Sequence, residues 1–163
     1  MDNQNSFFAE WSPRVLSILR IVVGFIILAH GSQKLFGYPP FPKPPQPPPQ
    51  AAAQQANQPA PPPPQQQPAK PQLPTLLLVA AWLELIGGTL ILLGLLTRPA
   101  AFILSGEMAV AYFKQHASSD TLLWPMTNMG EPAVLLCFVF LYLFVTGGGA
   151  WSLDNLLRRK NKL

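Results

Sequence analysis

Residues 75–99 read TLLLVAAWLELIGGTLILLGLLTRP. Between Leu76 and Leu96 the only charged residue is Glu84. Crossing the hydrocarbon core of a bilayer takes about 20 apolar residues at 1.5 Å each. This stretch therefore predicts a membrane-spanning helix. Working outward, three more apolar blocks follow the same reading: Pro13–Phe36, Pro99 to about His116, and Pro132 to about Val145 with a continuation through Gly147–Gly149. Backbone N–H and C=O groups in lipid must bond within their own segment, so all four blocks read as helices. Ser12-Pro13 suits an N-cap followed by proline at the first helical position, and Pro99 and Pro132 suit the same role at the third and fourth starts. Gly37 and Pro39 stop the first helix.

The expected fold is all-α: a transmembrane antiparallel four-helix bundle, with helices at about 13–36, 75–96, 99–116 and 132–149. Residues 1–12 form an N-terminal segment, 13–155 the membrane domain and 156–163 a basic tail. Asp2 and Glu10, with no short apolar core and small-residue cleavage site after them, argue against a signal peptide. The bundle is interrupted by residues 38–74. Tyr38–Thr75 holds 16 of the 20 prolines and nine glutamines, a composition for solvated polyproline II and coil, expected to be a disordered tether. That insertion dilutes the mean hydropathy to +0.23 and hides the apolar blocks. Only 18 of 163 residues are charged, about half the usual share of a soluble domain, so each charge inside a block counts.

With four spans both termini lie on one side. Arg14, Arg98, Arg158, Arg159, Lys160 and Lys162 are there, against Lys43, Lys70 and Lys114 on the other. The positive-inside rule places the termini in the cytoplasm. The +4 net charge is mostly this basic tail, which can touch anionic lipid. No stacking aromatics accompany it, so nucleic acid is not an expected partner. One cysteine excludes an internal disulfide and a Cys-rich metal site held by this chain alone, and no metal site is expected.

Ionisable residues at membrane depth face the bundle interior or a water-filled cavity and carry function by default. Arg20, Glu84 and Glu107 lie roughly 10, 18 and 12 Å above the inner helix ends by helix rise. They are read as one inner polar site; a buried ion pair that fixes helix register is the rival reading. At 100° per residue Arg20, Gly24, Ile27, Gly31 and Lys34 share a stripe, as do Glu84, Gly88, Ile91 and Leu95. Glycines on those stripes allow close helix contact. A second polar layer near the outer ends contains His30, Lys34, Lys114, His116, Asn128 and Glu131. From it His30, Lys34 and Glu131 are assigned to an outer mouth. Haem ligation by His30 and His116 is disfavoured by their helical phases.

Several fragments recur in a particular order: Arg20-Ile-Val-Val-Gly24, His30-Gly-Ser-Gln-Lys34-Leu-Phe-Gly37, Glu84-Leu-Ile-Gly-Gly88, Gly94-Leu-Leu-Thr-Arg-Pro99, Gly106-Glu-Met-Ala-Val-Ala-Tyr-Phe113, Gly130-Glu131 and Trp151-Ser-Leu-Asp154. Together they resemble the DoxX family of small bacterial four-helix membrane proteins, over nearly all of residues 14–155 outside the Pro/Gln segment. The resemblance implies a multi-pass protein of the bacterial cytoplasmic (inner) membrane. It also implies links to quinone redox chemistry, since some relatives are described as subunits of a thiosulfate:quinone oxidoreductase. The family's polar motif matches at Arg20, His30, Lys34, Glu84 and Glu131. Two features depart from it: the long Pro/Gln connection after Gly37, and Met129-Gly130-Glu131 where Gly-Gly-Glu is usual.

These readings point to a redox-linked membrane subunit binding a quinone-like or small anionic molecule, embedded in lipid. No residue of this chain carries electrons by itself, so a redox partner protein or a bound cofactor is required. One alternative is a transporter of small molecules or protons, for which four short helices call for a homodimer. The other is a non-catalytic scaffold for a redox partner.

Overall fold

The computed structural model describes residues 2–40, 74–117 and 121–160. The stretch expected as a Pro/Gln coil lies, over 41–73, outside the described residues. The architecture is all-helical, with no strand among the described residues. In chain order come α1 (Asp2–Phe36), α2 (Thr75–Leu93), α3 (Thr97–Ala111) continued by a π-helical turn (Tyr112–His116), α4 (Glu131–Thr146) and α5 (Leu153–Lys160).

Two antiparallel pairs build the bundle. In the first, α1 and α2 meet backbone to backbone. A Cβ on Gly24 would lie 2.6 Å from the Leu92 nitrogen, one on Gly31 2.5 Å from the Leu85 nitrogen, and one on Gly88 2.6 Å from the Leu28 nitrogen. Residue numbers rise on α1 as they fall on α2, which fixes the antiparallel sense. Contacts of this closeness need glycine, and they let dispersion and backbone packing replace the hydrophobic drive that lipid lacks. In the second pair, Ser105 Oγ of α3 donates to the Cys137 carbonyl of α4 at 2.9 Å, and the Phe102 and Phe144 rings lie 5.2 Å apart. Cys137 is half-buried at this seam. Val23, Ile27, Ile91, Leu104, Met108, Phe140 and Leu143 form the shared core.

The outward faces are apolar. Val22, Phe25, Val79, Trp82, Ile86, Phe102, Ile103, Leu135, Phe138 and Val145 are all exposed. Water would penalise such a surface, whereas lipid suits it. Two helical stretches, Phe7–Phe36 and Thr75–Leu93, are long and apolar enough to cross a membrane, and Glu131–Thr146 is shorter and equally apolar.

Four helix boundaries differ from the sequence expectation, each for a local reason. α1 begins at Asp2 and runs through Pro13. Two contacts span the proline: Glu10 pairs with Arg14 at 2.8 Å, and the Arg14 guanidinium sits 5.2 Å from the Trp11 ring. α2 stops at Leu93 because Gly94 turns left-handed (φ 69°), and the Gly94 and Leu95 amides return to the Ile91 and Leu90 carbonyls. α3 starts at Thr97, so Pro99 is its third residue rather than its first. α4 ends at Thr146; Gly147 and Gly149 both have positive φ and form a turn rather than more helix.

Candidate functional site

The structure separates the three mid-membrane charges that the sequence grouped together. Arg20 is 1% exposed, yet it touches neither Glu84 nor Glu107. Its guanidinium donates from Nε to the Gly148 carbonyl (2.9 Å), from Nη1 to Ile91 (2.5 Å) and Leu92 (2.6 Å), and from Nη2 to Trp151 (2.8 Å). The Ile91 and Leu92 carbonyls belong to the last turn of α2, where acceptors lack intrahelical donors and the helix dipole is negative. Arg20 is thus a C-terminal cap for α2, supplied by a different helix. This corrects the assignment of Arg20 to a site with Glu84 and Glu107. Helical phase gave the right face, but a guanidinium with five donors was better matched by a cluster of helix-end and turn carbonyls than by one carboxylate.

Around Arg20 the chain forms a knot at one end of the bundle. Ser17 Oγ donates to the Pro13 carbonyl and accepts from the Trp151 amide, and the Ala150 amide also donates to Pro13. Asp154, on α5, accepts from the Leu96 and Thr97 amides at 2.8 Å each, capping α3 from 57 residues away. Its carboxylate also supplies the negative field felt by Arg20. Gly148 and Gly149 are required here: a Cβ on Gly148 would lie 2.6 Å from the Ser152 Cβ, and one on Gly149 2.6 Å from the Pro13 carbonyl. Sequence reasoning missed Asp154 and α5. The signal was present in Leu153, Leu156 and Leu157 at helical spacing, with an acid in the first turn and Arg158, Arg159 and Lys160 in the last.

The second polar cluster lies toward the other end. Fourteen residues separate Arg20 from Lys34 on α1, about 21 Å along the axis. Lys34 Nζ donates to Glu84 Oε1 at 2.5 Å, joining α1 to α2. The Glu84 side chain is 3% exposed and that of Lys34 27%, so the carboxylate is the more deeply buried partner. Glu107 of α3 is half-buried, and Glu84 and Lys34 are the charges whose fields reach it. Two oxygens of this cluster, Glu84 Oε2 and Glu107 Oε2, are buried and accept no hydrogen bond from the described residues. Native proteins leave few buried acceptors unpaired, and each costs about 1–3 kcal/mol.

The outer-mouth residues divide similarly. Lys34 joins the carboxylates. His30 and Glu131 are exposed, and neither makes a hydrogen bond or ion pair among the described residues. Glu131 opens α4, where a carboxylate suits the helix dipole. His116 instead bonds through Nδ1 with the Asn128 carbonyl at 3.1 Å. Tyr112 O–H donates to the Leu122 carbonyl at 2.6 Å, which ties the 121–130 turns to the end of α3. A cleft of about 340 Å³, lined by Leu83, Gly87, Ile103 and Leu104 among others, lies between α2 and α3. Leu83 adjoins Glu84 in the chain and Ile103 and Leu104 precede Glu107 by one turn, while Lys34, Glu84 and Glu107 themselves do not line the cleft.

The DoxX family model matches residues 15–117, which include Arg20, Lys34, Glu84 and Glu107. An uncharacterized protein of Haemophilus influenzae (strain ATCC 51907 / DSM 11121 / KW20 / Rd) is 37% identical over 152 residues, covering 93% of this chain and 96% of the relative. No solved structure matches the chain significantly. With the family matched over more than half of the chain and apolar helices facing outward, the protein is a membrane protein of the DoxX family.

Proposed function

We propose that the protein is a redox-linked membrane subunit that binds a quinol-type molecule at Lys34, Glu84 and Glu107. The carrying observation is the pair of buried, unpartnered carboxylate oxygens beside one ammonium. Unpaired acceptors call for hydroxyl donors, which a quinol presents and a quinone lacks. An anion brings more acceptors and no donors, so the two unpaired oxygens disfavour the small anionic ligand that the sequence also allowed. Lys34 spends one of its three donors on Glu84 and keeps others for a ring oxygen. The apolar cleft between α2 and α3 suits the body of a lipid-soluble molecule, and its volume lies at the small end of ligand sites.

Oxidation of a quinol releases two protons and two electrons. The chain's own part is to orient the hydroxyls and accept their protons on Glu84 and Glu107, with Lys34 balancing the charge. The electrons pass to a redox partner or a bound cofactor, because no side chain of this chain carries electrons by itself. The site sits in a four-span bundle of the cytoplasmic membrane with both termini inside, the orientation that the basic residues favour.

Lipid extraction from protein purified in mild detergent tests this reading. Stoichiometric quinone or quinol, lost in a Glu84→Gln/Glu107→Gln variant, is expected. A quinone-free preparation that conducts protons in liposomes would move the assignment to transport.

A further inference from the structure

The opposite end of the bundle carries a second site, independent of the quinol reading. A cleft of about 830 Å³ opens between the start of α3, the Gly147–Gly149 turn and α5. Its polar walls are Arg98, Arg158, Arg159, Asn155 and Thr97. Arg98 uses one Nη2 donor on the Val145 carbonyl, at 3.2 Å. Arg158 and Arg159 are exposed and have no hydrogen bond or ion pair among the described residues. The acid in the cleft, Asp154, is already committed to the Leu96 and Thr97 amides. Thr97 is fully buried, and its hydroxyl has no hydrogen-bond partner among the described residues.

We infer that this cleft binds the phosphodiester headgroup of an anionic phospholipid. Three guanidiniums against one engaged carboxylate leave an excess of positive charge, and guanidinium forks match phosphate oxygens in pairs. Lipid is the fitting source because the cleft sits where α2 ends and α3 begins, at the edge of the apolar surface. Leu96 and Leu157 line it, and α5 presents Leu153 and Leu156 beside its basic residues. An amphipathic helix with this make-up lies in the plane of the membrane interface. The headgroup would then join α5 to the start of α3 and the turn after α4, over the knot that Arg20 holds from beneath.

Native mass spectrometry of the full chain tests the inference, with dioleoylphosphatidylglycerol, dioleoylphosphatidylcholine and glycerol 3-phosphate as probes. Phosphatidylglycerol is expected to bind at least about tenfold more tightly than phosphatidylcholine. Near an anionic surface each arginine contributes about fivefold. Arg158→Gln/Arg159→Gln should therefore weaken binding about twenty-five-fold, and Arg98→Gln about fivefold. Lys160→Gln, on α5 but outside the cleft wall, should change it less than twofold. Melting temperatures confirm folding, and Arg98→Gln serves alone if the double variant does not fold. Equal binding of the two lipids, or equal loss from Lys160→Gln and Arg98→Gln, overturns the inference. So does displacement of the lipid by equimolar glycerol 3-phosphate, which would make the ligand a soluble phosphate ester.

Discussion

Arg20 offers the sharpest separation of a structural from a chemical role. Replacing it with Met keeps the length and the apolar stem but deletes all five donors and with them four hydrogen bonds. The Ile91, Leu92, Gly148 and Trp151 carbonyls then lose their charge-assisted bonds. Each such bond contributes about 1.5–3 kcal/mol, a gross loss of about 6–12 kcal/mol. The net effect is smaller, because Met removes the buried charge itself and the glycine-rich turn can admit water. Each buried carbonyl left without a donor costs about 1–3 kcal/mol, and with part of the turn reached by water the expected loss is about 3–5 kcal/mol. On the scale of soluble domains of similar length, this lowers the melting temperature by roughly 6–20 °C. Arg20→Lys keeps a charge but not the fork, and should fall between wild type and Arg20→Met. The assay is thermal unfolding in one detergent, followed by circular dichroism. Quinol binding by folded Arg20→Lys should match wild type, since Lys34 lies about 21 Å away along α1. Wild-type stability in Arg20→Met, or lost quinol binding in stable Arg20→Lys, would refute the capping argument.

Other predictions concern the helix contacts. Lys34→Met strands a buried Glu84 and should cost about 3–5 kcal/mol, whereas Lys34→Met/Glu84→Met should recover most of it; unfolding of the four-member double-mutant cycle measures the coupling. Gly88→Ala forces a Cβ against the Leu28 backbone and should destabilise by about 1–3 kcal/mol. Gly106→Ala, with open space around it, should stabilise by up to about 1 kcal/mol in the same melting assay. Asp154→Ala removes the cap on α3 and should cost about 0.5–2 kcal/mol, with faster amide exchange at Leu96 and Thr97 as its local signature.

The sequence made the apolar half of the structure legible. Periodicity placed Gly24, Gly31 and Gly88 on facing stripes, and the structure brings their backbones into contact there. Length and lack of charge located the helices, and Gly37 and Pro132 located two of their ends to within a residue. Pro13 misled because proline marks a preference for helix starts, while the helix runs on through it with Glu10–Arg14 and Trp11–Arg14 contacts on either side. Partner choice was not legible. Arg20, Glu84 and Glu107 have similar nominal depths, so charge complementarity suggested one cluster. Depth from helix rise ignores where each long side chain reaches, and it ignores carbonyls, which carry no letter in a sequence. The Gly94 and Gly148 turns expose the acceptors that captured Arg20, and this left Glu84 to Lys34. Asp154 acts across 57 residues on backbone amides, a contact that local pattern cannot reveal.

The central claim is that Glu84, Glu107 and Lys34, and not Arg20, make the ligand site. Decylubiquinol titrated into the protein in nanodiscs, under anaerobic conditions and read by calorimetry, tests it most directly. A hydrogen bond to a charged group contributes about 1.5–3 kcal/mol, so Glu107→Gln should weaken binding at least about tenfold. Folded Arg20→Lys should bind as wild type does. Undiminished binding in Glu107→Gln, or loss confined to Arg20→Lys, would contradict the account.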